Sequence, residues 1–74
     1  MTEFTLDARG LLCPLPVLKA RKRLQKLERG DRLIMHATDP AALIDVPHFC
    51  MEAGHKLVES REDGDAVLYT IEKR

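Results

Sequence analysis

Arg32-Leu33-Ile34-Met35-His36-Ala37-Thr38-Asp39-Pro40 is the stretch that decides how this chain folds. Its first six residues are a mostly apolar run, which reads as a β-strand near the centre of a sheet. Asp39-Pro40 then reads as a helix start, with Asp as N-cap and Pro at the first helical position. A buried strand running straight into a helix predicts layered α and β elements.

Working upstream, Phe4-Thr5-Leu6-Asp7 alternates apolar and polar residues and predicts a strand of about five residues. Gly10 marks a turn. From Val17 the pattern turns helical, with Val17, Ala20, Leu24 and Leu27 on one stripe and Lys19, Lys22, Arg23 and Lys26 mainly off it. Gly30, after Arg29, reads as the C-terminal cap of that helix.

Downstream of Pro40, Leu43, Val46, Cys50 and Ala53 share a helical face, and Gly54 closes the segment. Pro47 removes a backbone donor and crowds the carbonyl of Leu43. The reading is therefore a short turn and a helix restarting near Asp45, which would serve as a second cap beside Asp39. Lys56 to Glu62 predicts a third strand, Asp63-Gly64-Asp65 a hairpin turn, and Val67, Tyr69 and Ile71 a fourth strand. The order β-α-β-α-β-β predicts an α+β fold: a two-layer α/β sandwich, with a mixed four-stranded sheet and two helices on one face. Repeats and linkers are absent from the sequence, so residues 1–74 read as one domain.

Composition narrows the function. A chain of 74 residues buries only about 60% of the surface its unfolded form exposes, enough for a small core but no deep substrate cavity. Chemistry at the surface is the expectation. The two cysteines are too few for a disulfide scaffold. No apolar run is long enough to span a bilayer. Met1-Thr2-Glu3-Phe4-Thr5 lacks the basic and apolar regions of a secretory leader. A reducing, cytoplasmic location follows as an expectation. Net charge is zero, yet residues 1–32 hold eight Lys/Arg and four Asp/Glu, whereas residues 33–74 hold four and eight. Such asymmetry suits an electrostatically guided partner.

The chemistry centres on Cys13, in Gly10-Leu11-Leu12-Cys13-Pro14-Leu15-Pro16. Pro14 biases Cys13 away from helical angles and itself suits the first helical position. That places Cys13 at or near a helix N-cap, where a thiol is a weak substitute for Ser, Thr, Asp or Asn. The residue makes sense there if its sulfur is used. The helix N-terminus favours the thiolate by less than about one pKa unit. Pro14 and Pro16 have no N–H to offer the sulfur, so activation by the dipole is modest. The prolines, with the turn at Gly10, supply shape: they hold the cysteine forward and leave Leu15 beside it as an apolar contact. Arg9 and Lys19 could add positive field. No Ser-His-Asp or Cys-His arrangement is recognisable. A nucleophile without a resident base suits transfer between partner sulfurs better than hydrolysis.

Leu6-Asp7-Ala8-Arg9-Gly10-Leu11-Leu12-Cys13-Pro14-Leu15-Pro16 resembles the Cys-Pro-X-Pro signature of the TusA (SirA-like) sulfur-carrier family. Asp39-Pro40-Ala41-Ala42, Asp45-Val46-Pro47-His48-Phe49-Cys50 and Gly54-His55-Lys56-Leu57 are similar to the same family's second block. The resemblance implies the same β-α-β-α-β-β sandwich. It also implies that Cys13 accepts sulfane sulfur as a persulfide from a cysteine desulfurase or rhodanese-like donor. The sulfur then passes to an acceptor cysteine on another protein, in transfer RNA 2-thiouridine synthesis or other sulfur trafficking. No cofactor is implied. Some sulfur carriers have Glu where this chain has Leu15, which leaves the donor and acceptor open.

Other readings make distinct predictions. Cys50 could resolve a disulfide with Cys13, but its place on the Leu43/Val46/Ala53 stripe reads as core. His48, Cys50 and His55 lack the spacing of a four-ligand zinc site, so no metal is expected, and His36 reads as a packed or edge histidine. The basic helix (Lys19, Arg21, Lys22, Arg23, Lys26) could touch phosphates. With zero net charge and only three aromatics, docking of an acidic protein surface is favoured over nucleic acid. Arg9, Leu15, Lys19, Arg23 and Lys26 are the candidate partner contacts, and a monomer is expected for the free protein. A thiol-dependent regulatory or RNA- or protein-binding module without sulfur transfer is the alternative function.

Overall fold

A computed structural model describes residues 2–74; Met1 lies outside the described residues. Four strands, β1 (Glu3–Ala8), β2 (Arg32–Ala37), β3 (Lys56–Asp63) and β4 (Ala66–Glu72), and two helices, α1 (Leu15–Leu24) and α2 (Ala42–Ala53), follow one another as β1-α1-β2-α2-β3-β4. The sheet order is β1-β2-β4-β3. β1 runs parallel to β2, with Leu6 opposite Met35, and β4 is antiparallel to both β2 and β3. The expected mixed sheet and two-layer sandwich are therefore present.

Alternation along the strands explains why both helices lie on one face. Leu6 and Ala8 of β1, Leu33, Met35 and Ala37 of β2, and Tyr69 and Ile71 of β4 form one core cluster with Ala20 and Leu24 of α1 and Val46, Phe49 and Cys50 of α2. The other face carries Thr5, Asp7, Arg32, Ile34 and His36, none of them fully buried. β2 is central, as its apolar run predicts, but only one of its faces is covered, so it alternates buried and half-buried residues.

Three local expectations are corrected. α1 ends at Leu24 with Gln25 as C-cap. Gly30 is instead a left-handed turn residue (φ 93°) whose N–H donates to the Lys73 carbonyl at 2.9 Å. Lys73 Nζ donates to the Leu24 carbonyl at 2.8 Å, placing a cation at the negative helix end. α2 runs through Pro47 unbroken and does not restart at Asp45. Pro47 is on the exposed side, where water can satisfy the carbonyl that loses its partner. The buried face of α2 is Ala42, Val46, Phe49 and Cys50, whereas Leu43 and Ala53 are exposed.

Candidate functional site

Cys13 is exposed on the loop between β1 and α1, and the local sequence explains that presentation. Gly10 adopts a left-handed conformation (φ 80°) that side chains strain to reach, and its N–H donates to Thr38 Oγ1 at 2.9 Å. The Leu15 N–H donates to the Leu12 carbonyl at 2.8 Å, closing a turn around Cys13 and Pro14. The Cys13–Pro14 peptide bond is cis. Pro14, not Cys13, occupies the N-cap of α1. Pro16 is buried within the first turn, so it anchors the helix start to the core while Leu12, Leu15 and Leu18 remain exposed.

Asp39 holds the loop from the other side. Its Oδ2 accepts the Cys13 N–H at 2.6 Å, and its Oδ1 accepts the Ala41 N–H at 3.2 Å. The expected N-cap role is corrected: α2 begins at Ala42 with Ala41 as N-cap and no side-chain capping bond, so Asp39 Oδ1 closes the turn ahead of the helix while Oδ2 fixes the Cys13 backbone. Asp45 plays no capping part. It faces an open groove between α1 and α2, about 270 Å³ in volume, lined also by Cys13, Val17, Leu18, Arg21, His48 and Glu52.

This neighbourhood reverses the expected electrostatics of the thiol. Hydrogen bonding with the Asp45 carboxylate, partial desolvation and the negative charges of Asp45 and Asp39 push the Cys13 thiol above its ordinary range. A carboxylate beside a thiol disfavours the second negative charge. The helix dipole does not win, because the sulfur precedes the cap and feels the negative charges of Asp45 on α2 and Asp39 in the loop before it. His48, the titratable imidazole of the groove, is engaged by Glu52 at 2.9 Å.

The remaining sequence candidates scatter. Arg9 Nε pairs with Asp7 at 2.9 Å, and hydrogen bonds from Arg9 hold the Asp7 carboxyl down at about 2. Lys19 Nζ donates to the Asp7 carbonyl at 3.1 Å. Neither Arg9 nor Lys19 lines the Cys13 groove. Lys19, Lys22, Arg23 and Lys26 surround a separate shallow depression with Leu6, and Arg23 lies 5.6 Å from the centre of the Phe4 ring. Cys50 is in the core at 2% exposure, and burial pushes its thiol up to about 11. His55 packs against Phe49 and accepts the Arg74 N–H at 3.1 Å, while His48 is exposed on α2. Sequence reasoning missed Asp45, Arg21, His48 and Glu52 as groove residues; only the i, i+4 spacing of His48 and Glu52 gave a signal.

A family model described as sulfurtransferase TusA matches residues 4–73. The chain belongs to the TusA family. Among TusA relatives, the sulfur carrier protein TusA of Pseudomonas putida is 42% identical over all of this chain and 98% of its own length. The putative sulfur carrier protein YrkI of Bacillus subtilis is 40% identical over 97% of this chain and 96% of its own. The crystal structure of a SirA-like protein from Desulfitobacterium hafniense superposes with a TM-score of 0.82 and 27% identity, over 97% of this chain and 96% of that one. Among the described residues, no helix of this TusA-family chain is long and apolar enough to cross a membrane.

Proposed function

We propose that this chain is a sulfur carrier in which Cys13 accepts sulfane sulfur from a cysteine desulfurase or rhodanese-like donor and passes it to a cysteine of an acceptor protein. The observation that carries this reading is the exposed Cys13, held by Gly10, Pro16 and Asp39 on a fixed loop, in a chain of the TusA family. In the first step the Cys13 sulfur attacks the outer sulfur of the donor persulfide. A new S–S bond forms at Cys13, the donor S–S bond breaks, and the donor leaves as a thiolate that takes up the proton Cys13 gave up. The second step repeats this exchange with Cys13 as donor. No net oxidation occurs, so no cofactor is called for.

The surroundings suit docking rather than enclosure. Leu12, Leu15 and Leu18 form an apolar rim on the α1 side, able to meet another protein and exclude water from the exchange. Arg9, Lys19, Arg23 and Lys26 lie outside the groove and would act as peripheral, salt-sensitive contacts. The whole described chain acts as one carrier unit, monomeric when free and working in the cytoplasm on proteins rather than on nucleic acid or membrane. Transfer RNA thiolation is the pathway this reading favours.

Incubation with a cysteine desulfurase and cysteine, followed by intact mass, tests the proposal. The expected result is a gain of one sulfur, about 32 Da, that is absent from Cys13→Ala. No gain with either a desulfurase or a rhodanese donor would overturn it, as would full cellular function of Cys13→Ser, which the non-transfer module predicts.

A further inference from the structure

Asp45 stands out within the groove. It is half-buried beside the Cys13 sulfur, and among the described residues it enters no ion pair. Of the charged groups around it, all but Arg21 are engaged elsewhere. From the loop before α2, Asp39 has both oxygens on backbone N–H groups. From α2 itself, His48 and Glu52 pair with each other. From α1, Arg21 lines the groove but makes no ion pair with Asp45. A carboxylate that suppresses the nucleophile next to it is an odd neighbour for a residue meant to react. It is a consistent one if the suppression is lifted from outside.

We propose that Asp45 is a positioning residue that keeps Cys13 unreactive in the free carrier and is the docking point for a cationic side chain of the protein that brings the persulfide. The proposal rests on the carrier reading of Cys13 and specifies its partner: a surface that places a Lys or Arg over Asp45, beside its persulfide. Pairing neutralises the charge facing the sulfur. Cys13 then releases its proton and attacks the outer sulfur of the donor; the donor thiolate that leaves is reprotonated. The same contact that recognises the partner switches on the thiol, so stray electrophiles meet a protonated sulfur and the docked persulfide meets a thiolate. A partner that covers the exposed Leu18 at the groove excludes water from that pair and strengthens it.

Two readouts on Asp45→Asn move in opposite directions if this is right. The first is iodoacetamide alkylation of Cys13 in the free protein across pH, in a Cys50→Ala background. Loss of the carboxylate lowers the pH midpoint. A one-unit fall gives tenfold more thiolate that is roughly threefold less nucleophilic, so alkylation near neutrality rises about threefold. The second is single-turnover sulfur transfer from a persulfurated desulfurase or rhodanese, which slows in Asp45→Asn at low salt and loses its salt dependence. Asp45→Glu, which keeps the charge, stays near wild type in both and separates charge from packing. An unchanged alkylation midpoint in Asp45→Asn overturns the proposal, and so does transfer at the wild-type rate. A wild type that accepts no sulfur from either donor defeats the carrier reading and the docking role with it. The alkylation shift, read on the free protein, would still decide whether Asp45 suppresses the thiol.

Discussion

Cys13 and Cys50 are the same side chain in two environments, and both are held above the ordinary thiol range for different reasons. Cys50 is raised by burial in the core between α2 and the sheet. Cys13 is exposed and raised first by a neighbouring carboxylate. Burial of Cys50 is removed only by unfolding, whereas the charge facing Cys13 can be neutralised by anything cationic that binds there. The comparison teaches that an elevated thiol can be either inert or gated, and that the cause of the shift, not its direction, tells which.

The sharpest way to break that comparison is to remove each thiol in turn. Cys13→Ala should abolish sulfur acceptance with no loss of fold, since the side chain packs against nothing in the core. Cys50→Ala should keep transfer and cost roughly 1–2 kcal/mol of stability, from lost packing. Urea melts and a transfer assay on both variants check it, and transfer lost in Cys50→Ala alone would invert the assignment.

Asp39→Ala tests whether the exposed thiol is held or merely exposed. Two backbone N–H groups lose their acceptor, which should cost about 1–2 kcal/mol and slow sulfur transfer through a looser Cys13 loop. Hydrogen exchange at the Cys13 and Ala41 amides reads this directly; unchanged protection at Cys13 would show that the loop is held by something else.

Alkali tests the cost of the buried thiol. The Cys50 thiol in the folded chain ionises at about 11, against an ordinary value of 9.0. Above the unfolded value the unfolded state has lost a proton that the native state keeps. Stability is therefore fully present below about pH 9 and falls as pH rises toward 11. Cys50→Ala should flatten that decline in urea midpoints, leaving only the Cys13 share, which has the same sign.

The smallest effect is expected at Tyr69, whose buried hydroxyl has no hydrogen-bond partner among the described residues. Tyr69→Phe should change stability by less than about 1 kcal/mol. A larger loss in thermal melts would reveal a partner for the hydroxyl.

The order of elements was legible because strand alternation and the Asp63-Gly64-Asp65 turn are local signals. The two-residue Gly64–Asp65 connection and the pairing of Asp63 with Ala66 bear this out. Helix limits were less legible. Gly30 looked like the cap of α1, but the helix ends at Gln25, where the Leu24 carbonyl accepts from both the Leu27 N–H and the distant Lys73. Pro47 looked like a break in α2, but its position on the exposed side makes the lost hydrogen bond tolerable. Cys13 was legible from its prolines, while its electrostatics were not. The sequence near Cys13 offers only Arg9 and Lys19, and both turn to Asp7. The groups that act on Cys13, Asp45 at the thiol and Asp39 at the backbone N–H, come from across the chain, from α2 and the loop before it.

The most direct test of the central claim is site-resolved. The wild-type protein is exposed to a persulfurated donor, its free thiols are alkylated, and its peptides are weighed. The account predicts an extra sulfur on the peptide that contains Cys13 and none on the peptide that contains Cys50. Sulfur on Cys50, or on neither peptide, would contradict it.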